Sequence, residues 1–175
     1  MKFLDYKKIS MPDKAVIKEM HHLYVELYKT SFSLNKKKNI MTSIVGREVW
    51  SWRVVGISKN SVRKIISHNY KSSVKRELQR DHYFQGRNET YNYIFENFLN
   101  IDDWWNEVWD KDRTIILTKE EHSSKKTSNH VFNYDEEVFE LDWTLGLFQC
   151  AKQVGFDYVQ GREGYFIKNN FEKLV

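Results

Sequence analysis

The sequence predicts an α+β fold: a helix-rich single domain over residues 1–175, holding a small strand–strand–helix unit among peripheral helices. Three observations point there. Apolar residues recur at helical spacing from Val16 to Tyr28, the mark of an amphipathic helix. A short β-branched run, "TIIL" at 114–117, leads straight into the helix signal "TKEEH". Hydrophobic residues make up 41% of the 175 positions and aromatics 15%, enough to bury a core without disulfides or metals.

The elements follow in order. "SMPDK" reads as a helix start, with Ser10 as cap, Pro12 in the first turn and Asp13 at the positive end of the dipole. His21 and His22 fall on that helix as surface or boundary residues. "SFSLNKKKNI" reads as a polar, basic loop. Trp50, Trp52 and Val54 alternate, which predicts a strand ended by Gly56. Ser58 then caps a short helix with Val62, Ile65 and Ile66 on one face. "SVKRELQRDHYF" is ambiguous between helix and strand, with an extended segment near 80–84. "QGRNET" reads as a loop, followed by a helix through Tyr91, Ile94, Phe95, Phe98 and Leu99. "NIDDWWNEVW" predicts a short helix capped by Asp102 or Asp103, with Trp105 and Trp109 one turn apart. After the strand at 114–117, Thr118 and Glu121 form a capping box for a helix over 119–126. "KKTSNHVFN" reads as a loop, 135–154 as a long helix stopped by Gly155, and "FDYVQGREGYFIKN" as a hairpin turning at "GREG".

Charge and cysteine content narrow the function classes. The formal net charge is +4 and the pI about 9.0, which suits a partner carrying phosphates. Lys and Arg gather at 34–39, 70–80 and 122–126, whereas acids gather at 96–112 and 133–142. A single cysteine, Cys150, excludes an internal disulfide and a Cys-rich zinc knuckle; it reads as a small buried apolar side chain rather than a nucleophile. No run approaches the ~20 apolar residues of a membrane span, and the N-terminus has no signal-peptide pattern. The expectation is a soluble, cytoplasmic protein with no membrane partner.

Chemistry concentrates from Arg80 onward. "RDHYF" places Asp81 and His82 at a strand end, and "RTIILTKEEH" places His122 in the first turns of a helix. Phosphodiester hydrolysis needs a base for water, a cation near the phosphate and positive groups on the backbone. A neutral histidine suits the first task near pH 7, and a carboxylate with a second histidine suits a divalent metal. Alternate strand residues face opposite ways, so Asp81 and His82 share a site only where the strand end is twisted.

These two segments resemble the HNH, or ββα-metal, nucleases over residues 78–126, with 1–77 and 127–175 as elaborations around that core. The resemblance implies His82 as general base, Asp81 and His122 as metal ligands, Mg²⁺ as the cofactor with Mn²⁺ as alternative, and DNA as substrate, in a restriction, phage or mobile-element setting. Where the family carries an Asn that orients the base, this chain has Asp112 and Arg113; Asp112 is the candidate to take over that role. The insertion 90–109 is long, and the family's zinc-binding cysteines are absent. Arg80, Arg87, Arg113 and Lys125 are candidate phosphate contacts, and His130 a candidate third ligand. A symmetric homodimer would suit double-strand cutting. Two other classes fit the same residues: a non-catalytic nucleic-acid binder using the "KKK" segment and exposed aromatics, and an interaction module presenting "IDDWWNEVWDKD" to a protein partner.

Overall fold

A computed structural model describes residues 9–83, 86–127, 134–150 and 155–175, the side chains of 125–127, 134 and 135 excepted. The fold is α+β. The chain forms two compact units, one of residues 1–9, 54–81 and 114–175, the other of 10–53 and 82–113.

The first unit is built on a four-stranded sheet of order β2-β3-β1-β4. Its strands are β1 (Val54–Ser58), β2 (Leu78–His82), β3 (Thr114–Thr118) and β4 (Val138–Glu140). β1 and β3 run parallel, with Ile57 opposite Ile116, and β4 runs antiparallel to β1, with Ile57 opposite Phe139. All five residues of β3 are buried, as expected of a central strand covered on both faces. Each parallel strand runs straight into a helix: β1 into α3 (Lys59–Ser67), β3 into α6 (Lys119–Thr127). Val54, Ile57, Val62, Ile65, Val74, Leu78, Ile116, Phe148 and Ile167 share one core.

The second unit is helical: α1 (Lys14–Lys29), α2 (Leu34–Val45), α4 (Arg87–Glu96) and α5 (Ile101–Lys111). α1 packs on α2 and α5, and α4 on the same two helices. Tyr24, Met41, Trp50, Ile94 and Trp104 fill its interior. Tyr24 also donates its hydroxyl to the Ile94 carbonyl at 2.8 Å, so the largest ring of α1 is satisfied where it is buried.

Several expectations are corrected. The cap of α1 is Asp13, whose carboxylate accepts from the Ala15 and Val16 amides; Ser10 lies too far upstream. The "KKK" segment is helix: Ser33 caps it, Met41 and Val45 bury its inner face, and Lys37 donates to the Tyr28 carbonyl at 2.7 Å at the end of α1. Lysine is a good helix former, and the polarity of 34–39 disguised the element. Residues 50–53 turn, so β1 begins at Val54 and Gly56 lies inside it. Arg87 already belongs to α4, and α5 is capped by Asn100 ahead of both aspartates.

The long helix expected over 135–154 is replaced by a short helix α7 (Tyr134–Glu137), β4 and a 3-10 turn at Trp143–Leu145. Pairing of 138–140 with β1 outweighs the helix-like spacing of Val138, Leu141 and Leu145. Gly146 and Phe148 then take left-handed conformations, with φ of 62° and 56°. The residues 151–154 expected to end that helix lie outside the described residues. The hairpin expected at the C-terminal end is helix α8 (Gln160–Asn170). Its anchor is Glu163, fully buried, which accepts from the Phe148 amide at 3.0 Å and the Val159 amide at 2.8 Å. A buried carboxylate with two such donors and Arg162 beside it holds the first turn of a helix, which a hairpin register would break.

Gly56 is required by close approach. A Cβ there would lie 2.6 Å from Val138 Cγ1 and 3.2 Å from the Phe139 carbonyl oxygen. Gly56→Ala is therefore expected to lower stability by about 1–3 kcal/mol, the usual range for overpacking. Urea denaturation measures it, and an unchanged midpoint would mean that β4 moves aside without cost.

Candidate functional site

The first unit brings Asp81 and His122 together. Asp81 is the fourth residue of β2 and His122 the fourth of α6. Asp81 Oδ1 lies 3.8 Å from His122 Nε2, and the side chains are 23% and 21% exposed. They lie at ion-pair distance and both are partly open to solvent.

The start of α6 explains why His122 points there. Glu121 Oε2 accepts from the Thr118 amide at 2.7 Å, and Thr118 Oγ1 accepts from the Glu121 amide at 3.1 Å, the reciprocal box expected from the sequence. The same carboxylate accepts from Ser58 Oγ at 2.7 Å and from Asn60 Nδ2 at 3.0 Å. Ser58 itself caps α3 by accepting from the Ser61 amide at 3.0 Å. One carboxylate thus ties the first turns of both helices that leave the parallel strands. His122 is the next residue, so its backbone is fixed by this clamp.

Two donors on one cation at about 2.1 Å each sit roughly 3 Å apart in adjacent positions. The observed 3.8 Å differs from that by less than the reach of a small χ rotation. Among the described residues no cluster of three or more His, Cys, Asp or Glu could hold a metal. As ligands the pair would fill two positions and leave the others to solvent oxygens, a pattern common for Mg²⁺. The imidazole shifts the preference toward Mn²⁺ and later first-row ions.

The second unit fixes His82 through Trp52. The His82 and Trp52 rings lie 4.6 Å apart, and His82 Nε2 is enclosed. Trp52 takes a left-handed backbone, φ 59°, at a cost of about 1–2 kcal/mol for a residue with a Cβ. Its amide donates to Asp112 Oδ2 at 2.8 Å, and the Arg87 guanidinium stands 4.3 Å above its ring. Arg87 donates to Asp112 Oδ1 and, at 2.7 Å, to Ser51 Oγ. Beside this pair is a cavity of only about 10 Å³, lined by Thr90, Tyr91 and Val108 among others, too small for a ligand. Burial pushes the Tyr91 phenol up to about 12, so it stays neutral there.

These facts revise three expectations. Asp112 is 5% exposed and gives its two oxygens to Trp52 and Arg87, so it orients His82 through the Trp52 ring and not by direct hydrogen bond. Arg87 is buried in that ion pair and is no phosphate contact. Arg80 is 6% exposed within β2 and is likewise withdrawn from solvent. Arg113 remains at the surface, its Nε donating to the Asp110 carbonyl at 3.0 Å and its guanidinium 5.5 Å from the Tyr83 ring. The side chain of Lys125, and His130 entirely, lie outside the described residues.

Sequence reasoning missed Trp52 and Arg53. Arg53 is 2% exposed, donates to the Trp109 carbonyl and stacks at 3.7 Å on the Trp109 ring. Burial pulls its guanidinium down to about 10, with Asp112 opposing, so it is charged at neutral pH. The aromatic density of 50–53 was the available signal, and it was read as strand alternation. Trp105 is buried and stacks on Trp109 at 5.3 Å, which counts against an exposed Trp-rich docking segment.

The chain matches no known family, no curated protein and no solved structure in the comparisons made.

Removing Asp112 leaves Arg87 buried without its counter-charge. Asp112→Ala is expected to cost about 3–5 kcal/mol. The double change Arg87→Met with Asp112→Leu is expected to recover most of that loss, because an apolar pair leaves no buried charge. Chemical denaturation of the single and double variants checks this; equal destabilisation of the two would contradict it.

Proposed function

We propose that the protein is a metal-dependent DNA endonuclease that hydrolyses phosphodiester bonds with a histidine general base. The observation that carries this reading is the convergence of Asp81 and His122 from β2 and α6 at 3.8 Å, both partly exposed. Asp81 and His122 hold the divalent cation, Mg²⁺ or Mn²⁺. When bound, the cation supplies charge stabilisation to the phosphate and the departing oxygen.

His82 follows Asp81 directly in the chain, and its role as the base rests on the likeness of "RDHYF" to the nuclease motif. It takes the proton from the attacking water. Trp52 holds the ring for this task, and Asp112 holds Trp52. Arg113, half-exposed near Tyr83, is the remaining described candidate for a phosphate contact.

The test is nicking of supercoiled plasmid with and without Mg²⁺ or Mn²⁺. The expected result is metal-dependent cutting that falls by roughly 10²- to 10⁴-fold in His82→Ala, the usual contribution of a general base. Asp81→Asn and His122→Ala are expected to raise the metal concentration needed for half-maximal cutting. Undiminished cutting by His82→Ala overturns the assignment of the base. No cutting of any DNA, with salt-sensitive binding retained, turns the reading to a non-catalytic nucleic-acid binder.

A further inference from the structure

We infer that the second unit carries a separate face for single-stranded nucleic acid, formed by the end of α1, the start of α2 and the segment after α4. Its rings are Tyr28, Phe32 and Phe98, and its cations Lys36, Lys37 and Lys38.

Phe98 is 57% exposed and Phe32 41%. Isolated exposed apolar residues are ordinary; Phe98 is backed by other rings, and Phe32 lies under a lysine. Phe98 meets Tyr28 edge-on at 5.2 Å and lies nearly parallel to the buried Tyr24 ring, 6.4 Å away with 19° between planes. Phe98 is therefore held in place from beneath while its outer side stays in water. A flat ring fixed in this way loses little entropy when a base stacks on it.

Two of the cations stand against these rings, and the third follows them on α2. Lys36 Nζ stands 3.9 Å over Phe32. Lys37 Nζ is 5.6 Å from the Tyr28 ring and donates to the Tyr28 carbonyl at 2.7 Å. Lys38 Nζ donates to Asn92 Oδ1 at 3.0 Å. Three successive lysines in the first turns of a helix oppose its dipole, an arrangement that helix stability alone disfavours. The nearest preceding acid, Glu26, is paired with Lys29 at 2.7 Å. Positive charge beside exposed ring faces matches phosphates beside exposed bases. A duplex offers the phosphates and hides the base faces, so the occupant is a single strand. This inference stands without the nuclease reading, because none of its residues belongs to the Asp81–His122 pair.

The experiment is fluorescence anisotropy of a labelled oligo(dT) of about 15 nucleotides with the full chain in EDTA, where no metal-dependent cutting occurs. Binding is expected to weaken with salt, with a log–log slope of roughly −2 for three lysines on a single strand. Phe98→Ala and Phe98→Leu are each expected to weaken it at least about fivefold, since neither keeps a flat ring. Lys36→Ala with Lys38→Ala is expected to make the slope shallower. Unchanged melting temperatures confirm that these exposed substitutions leave the fold intact. No binding overturns the inference, as does binding indifferent to Phe98 and the lysines. Wild-type binding by Phe98→Leu would show greasy contact in place of stacking, and equal affinity for a duplex would show backbone contact alone; each also overturns it. Loss of cutting in His82→Ala with this binding intact separates the two proposals.

Discussion

The carboxylate of Glu121 is the constraint on which the candidate metal pair depends. It accepts three hydrogen bonds from two segments: from the Thr118 amide at the end of β3, and from Ser58 and Asn60 at the start of α3. A partly buried carboxylate with charge-assisted bonds on both oxygens is stronger than a neutral cap. Parallel strands β1 and β3 deliver the two helix starts side by side, and Glu121 locks them. The residue that follows, His122, inherits a fixed backbone and reaches Asp81. The local rule of capping thereby becomes a rule about where an imidazole sits.

In the second unit the corresponding role belongs to Asp112. Its buried pair with Arg87 is not an argument for stability in itself, because desolvating both charges offsets much of their attraction. What the pair contributes is geometry. Asp112 holds the Trp52 amide in a left-handed turn, Arg87 covers the Trp52 ring, and that ring meets His82. Strain at Trp52 persists because its neighbours over-determine it. Packing against the Trp52 ring gives the histidine a defined neighbour on that side.

Much of the unit around 78–126 was legible locally. "TIIL" followed by "TKEEH" carries its own strand pattern and its own cap, and both formed as read. The Asp81–His122 approach followed from placing a strand end against a helix start. Asp112 misled because its spacing suited His82, whereas its partners are Trp52 and Arg87, where no local pattern signals a contact. The same limit explains 135–154 and 160–170. Val138, Leu141 and Leu145 have helical spacing, yet the free edge of β1 captured 138–140. Glu163 turned "GREG" into a helix by accepting an amide from Phe148, a contact visible only once the loop before it was folded. The lysines of α2 show the converse: polarity suggested a loop where Ser33, Met41 and Val45 made a helix.

The most direct test of the account is a Mn²⁺ titration of the intact protein followed by electron paramagnetic resonance, comparing the wild-type chain with His122→Ala and Asp81→Ala. The account predicts one bound ion per chain, weakened at least about tenfold by either substitution, as expected when one of two protein ligands is lost. Equal binding by all three proteins, or none by any, would show that Asp81 and His122 form an ordinary ion pair and hold no metal.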